Sequence, residues 1–455
     1  MYINVYSKHS ELSEFVYITK VIFEYWLGFE ICYFSSASDY VELELEGTHK
    51  RILLPDIFFS SSDFRSKNEF YVSLISKDRW DLPNKLANQL GITDVPVFFK
   101  SKKCELDRDG ILLSLDILGV SFFLLSRIEE YHSNDTDEHG RYLGANSLMS
   151  KLNCAHIPIV DIYLEILWHN ISEISPRLQR KQLTYKKNIS CDVDNPFLFH
   201  STRFNLLKRT AGDILYRKSL RMATQTLQGL FTGKAAYKKD PYSEAINFII
   251  RENDKVSNEV QFNFIPYASN NRFDGPGMFG ALEVKDMIDR ITVSGHGVGI
   301  HPGYDTFDNQ RFLDKSVDIF RQHSSEIGLI KGRQHYLRWE VGITELLYES
   351  AGISIDSSLG NADVGGFRCG TSRAFPVFSL TKRKVLALVE EPLLIMENTY
   401  FSGKYLNYGV TQEALEKMLE IKRWCKKLNG VFTVLWHNTS LITEKEKEMY
   451  LEIIK

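Results

Sequence analysis

Two aspartates one residue apart, Asp192-Val193-Asp194, close a short apolar run, and three later segments carry related chemistry: His301-Pro302-Gly303-Tyr304-Asp305, Asp356-Ser357-Ser358 and Trp436-His437-Asn438. In an extended chain alternate side chains point the same way, so Asp192 and Asp194 share a face, roughly 6–7 Å apart. Two such carboxylates can divide labour, one on a metal and one as base. Hydrolysis of an unactivated amide near neutral pH needs a strong nucleophile and a stabilised oxyanion. A divalent ion held by Asp and His with an open position, Zn²⁺ or a similar ion, supplies both.

The elements around these segments place each of them at the end of a strand. Strand-like runs (NISCDV, VQFNFIPY, GVGIHP, ISIDSSLG, VLALVEEPLLIM, GVFTVLWHN) alternate with helical ones (ALEVKDMIDRI, RFLDKSVDIFRQHSSEIG, ITELLYESAG, TQEALEKMLEIKRWCKKLNG). That order predicts an α/β fold with a mainly parallel sheet and barrel-like closure, whose reacting groups gather at the carboxyl ends of the strands. The basic, proline-bearing stretch 175–188 is the expected boundary. It divides an N-terminal accessory α/β or α+β domain over 1–180 from a second domain over 185–455, which carries a basic helical insertion at 203–250 closed by Asp240-Pro241.

Each segment taken alone has a plainer reading. An isolated Asp-x-Asp is often a turn, Asp356 can cap its own serines, and Arg333, His335 and Arg338 in GRQHYLRW could form a surface basic cluster. Leu-Trp-His-Asn occurs twice, and at 167–170 it lies in a helix-patterned stretch where His169 reads as structural. Asp137-Glu138-His139 reads as a polar turn, and GLFTGKA (229–235) lacks the spacing and hydroxyl of a phosphate-binding loop. Spacing and strand-end placement together favour a joint site.

Taken in order, the segments resemble the NodB-homology polysaccharide deacetylases, in the divergent branch associated with bacterial surface-polysaccharide genes, over about residues 185–440. The resemblance implies a distorted (β/α) barrel of the NodB type, preceded by the uncharacterised N-terminal domain of that branch. It implies metal-dependent removal of the N-acetyl group from an amino sugar in a bacterial glycan or glycan precursor. In that reading Asp192 is the base, Arg333 pairs with it, Asp194 and His301 bind the metal, Asp356 orients site groups and His437 is the general acid. Asp305 stands where the family has its second ligand histidine, so Asp305 is the expected third ligand and His335 the alternative. Arg368 in GFRCGTSRAFP, with Tyr304 and Trp436 beside the two histidines, are the expected substrate contacts. The departure at Asp305 leaves a second reading open, a catalytically inactive carbohydrate-binding or scaffold protein on the same fold.

Bulk properties bound the rest. The chain has 455 residues, 44% hydrophobic and 25% charged, with a net charge of -3, which gives no global attraction for nucleic acid. Six scattered cysteines without a C-x-x-C pair and an N-terminus without a signal pattern point to a cytoplasmic protein. The apolar run 111–126, interrupted by Asp116, is short for a membrane span and reads as a buried element. The expected partner is an N-acetylated glycan or lipid-linked sugar. The basic helices at 206–221 add an expected peripheral contact with the inner membrane face.

Overall fold

The computed structural model describes residues 2–48, 50–61, 75–76, 78–99, 110–201, 203–215, 220–232, 237–324 and 328–455. Cys104, Arg217, Lys218 and the end of GLFTGKA lie outside these. The chain forms two compact units, Met1–Lys186 with Trp339–Leu394 and Glu420–Phe432, and Lys187–Arg338 with Ile395–Leu419 and Thr433–Lys455. The sequence 185–455 is therefore shared between them, two of its stretches packing within the first unit.

In the first unit the strand Tyr2–Ser7 pairs in parallel with Glu30–Ser35 and antiparallel with Tyr40–Leu45, which continues to Arg51–Pro55 and Gly110–Leu112. Val41, Leu43 and Leu45 alternate inward along their strand, the period of a sheet with one covered face. The apolar run after residue 111 becomes the helix Ile117–Leu125, buried at every position. Asp116, the residue that breaks the run, caps this helix: Oδ1 accepts from Gly119 N at 2.8 Å and Oδ2 from Phe58 N at 2.8 Å. Among the described residues no helix is long and apolar enough to cross a membrane. The strands Ile353–Asp356, Lys384–Glu390 and Phe375–Ser379 belong to the same unit, the first two paired in parallel.

The second unit is built of parallel strands with helices between them. Lys186–Val193, Val260–Phe264, Gly297–Ile300 and Ile330–Gly332 follow one another in the sheet, and the helices Pro241–Asp254, Leu282–Val293 and Gln310–His323 form the crossovers. Register decides where the chemistry falls. Val193 lies opposite Phe264, Phe264 opposite Ile300, and Ile300 opposite Gly332, so the residues that follow all four strands emerge at one level. Gly332 is required there, since a Cβ would stand 2.6 Å from Ile300 Cγ2 and 2.9 Å from its carbonyl oxygen. On the other side Met396 pairs with Leu435, which brings Glu397 level with Trp436 and His437. The insertion folds as two packed helices, Arg203–Leu215 and Leu220–Thr232, and Asp240 caps the next helix with Pro241 in its first turn.

Candidate metal centre

Asp192 is buried and its Oδ1 is fully engaged, accepting from Asn263 Nδ2 at 2.8 Å and from Arg333 Nη1 at 3.0 Å. Asn263 is its register partner on the neighbouring strand, so the pairing follows from strand alignment. Arg333 is 1% exposed and also donates to Ser190 Oγ, which fixes its guanidinium beneath the carboxylate. Burial opposes ionisation of Asp192, but Arg333, together with His301 and His437, outweighs it and holds the carboxyl below its usual range.

Asp194, one residue past the strand, is half-buried. Its Oδ1 is shielded from solvent, makes no hydrogen bond, and lies 3.3 Å from His301 Nε2 and 3.7 Å from His335 Nε2. These three groups form the cluster of ligand atoms all within 4.8 Å of one another.

Both histidines are oriented from behind. His301 Nδ1 lies 2.5 Å from the carbonyl oxygen of Arg333, and His335 Nδ1 lies 2.7 Å from Asp274 Oδ1, so each ring commits Nδ1 as donor and turns Nε2 to Asp194. Asp274 is itself locked, Oδ1 accepting from Tyr304 N and Oδ2 from Ser269 Oγ and Asn270 N. Gly303 lets this carboxylate approach, because a Cβ there would sit 2.7 Å from Asp274 Oδ2. Behind His335 the backbone turns through two non-glycine residues of positive φ, Tyr336 at 61° and Leu337 at 55°, a sparsely populated geometry that is held only where its surroundings over-determine it.

The set fits a divalent ion. Donors about 2.0–2.2 Å from a tetrahedral ion lie about 3.3–3.6 Å apart, close to the separations between Asp194 and the two histidines. Burial opposes a charge on His335, but Asp194 and then Asp274 push its ring up to about 9. A position that draws a proton so strongly also suits a metal cation.

The expected third ligand, Asp305, is placed otherwise. Its Oδ2 accepts from Asn270 Nδ2 at 2.9 Å and its Oδ1 from Arg338 Nη1 at 3.2 Å, and Arg338 stacks over Tyr304 and Phe307. His335 stands in the cluster instead. Tyr304 is buried against Phe273, and Trp436 is fully buried between Phe401 and Tyr450 with its indole N–H on Ser440 O.

His437 faces the same carboxylate from the other side, Nε2 lying 3.7 Å from Asp194 Oδ2. Its Nδ1 is 2.7 Å from Oε1 of the buried Glu397, which also accepts from the His437 backbone N–H. Burial opposes the charged ring, but Glu397 and then Asp194 push it up to about 10. Glu397, Asp274 and Asn263 are absent from the sequence-based site. Glu397 sits in an acidic, proline-bearing run, and its one sequence cue was its place directly after an apolar stretch.

Asp356 and Arg368 belong to the first unit. Asp356 accepts from Ser358 Oγ at 2.6 Å and Ser358 N at 3.0 Å, while beside it burial and the Asp356 charge push Glu390 well above the usual range. Arg368 forms a buried two-pronged pair with Glu130, at 2.9 and 2.7 Å, and donates to Gly360 O. In the same unit Asp137 holds Arg141 and the His139 backbone N–H.

Residues 3–176 match the model of a family of unknown function, DUF7033. No curated protein matches the chain. Among solved structures, that of a candidate polysaccharide deacetylase from Mycobacterium smegmatis is similar with a TM-score of 0.37 and 11% identity, over 60% of this chain and 85% of that one.

Proposed function

We propose that the second unit is a metal-dependent hydrolase that removes the acetyl group from the nitrogen of an amino sugar. The observation that carries this reading is the Asp194–His301–His335 cluster, flanked by Asp192 paired with Arg333 and by His437 paired with Glu397. Asp194, His301 and His335 would hold the ion, which when bound supplies Lewis acidity and acidifies water.

The remaining steps belong to side chains of the chain. Asp192, kept anionic by Arg333 and Asn263, takes a proton from the attacking water. His437, whose Nδ1 is anchored by Glu397, presents Nε2 as a proton donor to the departing nitrogen. Water adds across the C–N bond, its oxygen to the acetyl carbon and a proton to the amine, so acetate and a free amino sugar leave. The inactive-scaffold reading rested on Asp305 in a ligand position, and His335 supplies a histidine donor in its place.

The test measures bound metal and acetate release from N-acetylated glucosamine oligomers for the wild type and Asp194→Ala. One equivalent of metal and release of acetate, both lost in the variant, support the proposal. A wild type that binds no divalent ion and releases no acetate overturns it.

A further inference from the structure

The helical insertion of the second unit has a satisfied inner face and an unsatisfied outer one. Leu206, Thr210 and Asp213 turn inward on the helix Arg203–Leu215, and Leu206 joins Leu198, Phe199 and Tyr242 in a small core. On the partner helix Gly229 lies so close to Phe199 that a Cβ would clash with its ring. The outer face is apolar: Phe204 is 74% exposed, Leu215 68%, Leu220 75% and Phe231 87%, with Leu207 and Ile214 also exposed.

At about 100° per residue, Ile214, Leu207, Ala211, Phe204 and Leu215 fall on one arc of about 100° of the first helix, with Arg203 at one edge and Lys208 at the other. Leu220 and Phe231 share a face of the second helix, and Lys238 and Lys239 are exposed just beyond it. The charge of the segment is lopsided. Residues 203–239 contain nine Lys and Arg and one acidic residue, Asp213, in a chain whose net charge is -3. That aspartate points inward and accepts from Thr226 Oγ1 at 2.8 Å, so it offsets little of the charge at the surface.

We propose that this hairpin docks on an anionic lipid bilayer, its apolar arc entering the acyl boundary and the flanking cations meeting headgroup phosphates. Charge selects this occupant. A second copy of the chain would bring two such cationic rims together, whereas an anionic bilayer complements both the rim and the apolar centre. The inference is independent of the hydrolase reading.

Flotation of the protein with vesicles of phosphatidylcholine alone, or of phosphatidylcholine with phosphatidylglycerol, tests it, with sedimentation velocity to fix the oligomeric state. Binding is expected to the phosphatidylglycerol vesicles alone and to weaken with salt. The triple variant Phe204→Ser, Leu215→Ser, Phe231→Ser and the charge variant Lys208→Glu, Lys238→Glu are each expected to bind at least about tenfold more weakly with unchanged circular dichroism. No binding by the wild type, or equal binding by the triple variant, overturns the proposal. So does a stable dimer that the triple variant dissociates while lipid binding is absent.

Discussion

His335 Nδ1 meets Asp274 Oδ1 at 2.7 Å, while the opposite nitrogen of the same ring faces Asp194 Oδ1 at 3.7 Å. The imidazole is thus gripped between two carboxylates, one that orients it and one that faces its other nitrogen. Replacing Asp274 with Asn keeps the shape and removes the charge behind the ring. Metal affinity is expected to fall about 10–100-fold, as for other partners that orient ligating histidines. Equilibrium dialysis with Zn²⁺ measures it, and unchanged affinity would show that the pair is dispensable.

The two candidate third ligands can be separated. His335→Ala is expected to abolish stoichiometric metal binding, because it removes one of three donors. Asp305→Ala should leave stoichiometry intact, because Asp305 is already engaged by Arg338 and Asn270. The reverse pattern would return Asp305 to the ligand set.

Glu397 touches His437 twice, through Nδ1 and through the backbone N–H. Glu397→Gln should lower kcat for deacetylation about 10–100-fold with little change in KM, since it disturbs the proton donor and leaves substrate contacts alone. An effect on KM alone would make Glu397 a scaffold for substrate binding.

Acid should weaken the first unit through Glu130. Burial opposes its charge, but Arg127 and Arg368 outweigh this and lower its carboxyl from 4.5 to about 2. Between those values the unfolded chain takes up a proton that the folded chain does not. Stability is therefore fully present above about pH 4.5 and lost as the pH falls toward 2, by about 3 kcal/mol. Glu130→Gln should lack this component and be less stable at pH 7 by about 3–5 kcal/mol, since two buried guanidinium groups lose their counter-charge. Urea unfolding between pH 7 and 2.5 decides, and parallel curves for both proteins would refute it.

What the sequence disclosed follows from what is local. Alternation of apolar strands and amphipathic helices is a local pattern, and it located the parallel strands whose ends carry Asp192, His301 and His437, whereas the strand before Arg333, Ile330–Gly332, is three residues long and the stretch reads as a turn. Leu-Trp-His-Asn shows the value of such context, since the copy at 167–170 lies inside the helix Ile159–Ile174 and the copy at 435–438 leaves a strand. Asp274 was hidden because Asp-Gly in a polar loop reads as a turn, and its role exists only once Gly303 and His335 are folded against it. Glu397 was hidden because VLALVEEPLLIM reads as one strand, whereas the chain forms Lys384–Glu390 and then a separate two-residue strand, Ile395–Met396, that Glu397 directly follows. The grouping of Trp339–Leu394 with the first unit is likewise a matter of non-local contact, which strand and helix patterns do not encode.

The donors of the cluster come from three distant places in the chain, Asp194, His301 and His335, and the described cysteines Cys32, Cys154, Cys191, Cys369 and Cys425 are all thiols. An ion gripped by the three would close one loop of more than a hundred residues and a second, shorter one, much as a pair of covalent bridges would, and narrow the unfolded ensemble accordingly. Unlike a disulfide, such a staple opens to a chelator and is indifferent to reductant. The heat resistance of the second unit would then rise with the logarithm of free metal concentration, making the fold a gauge of the ion it holds.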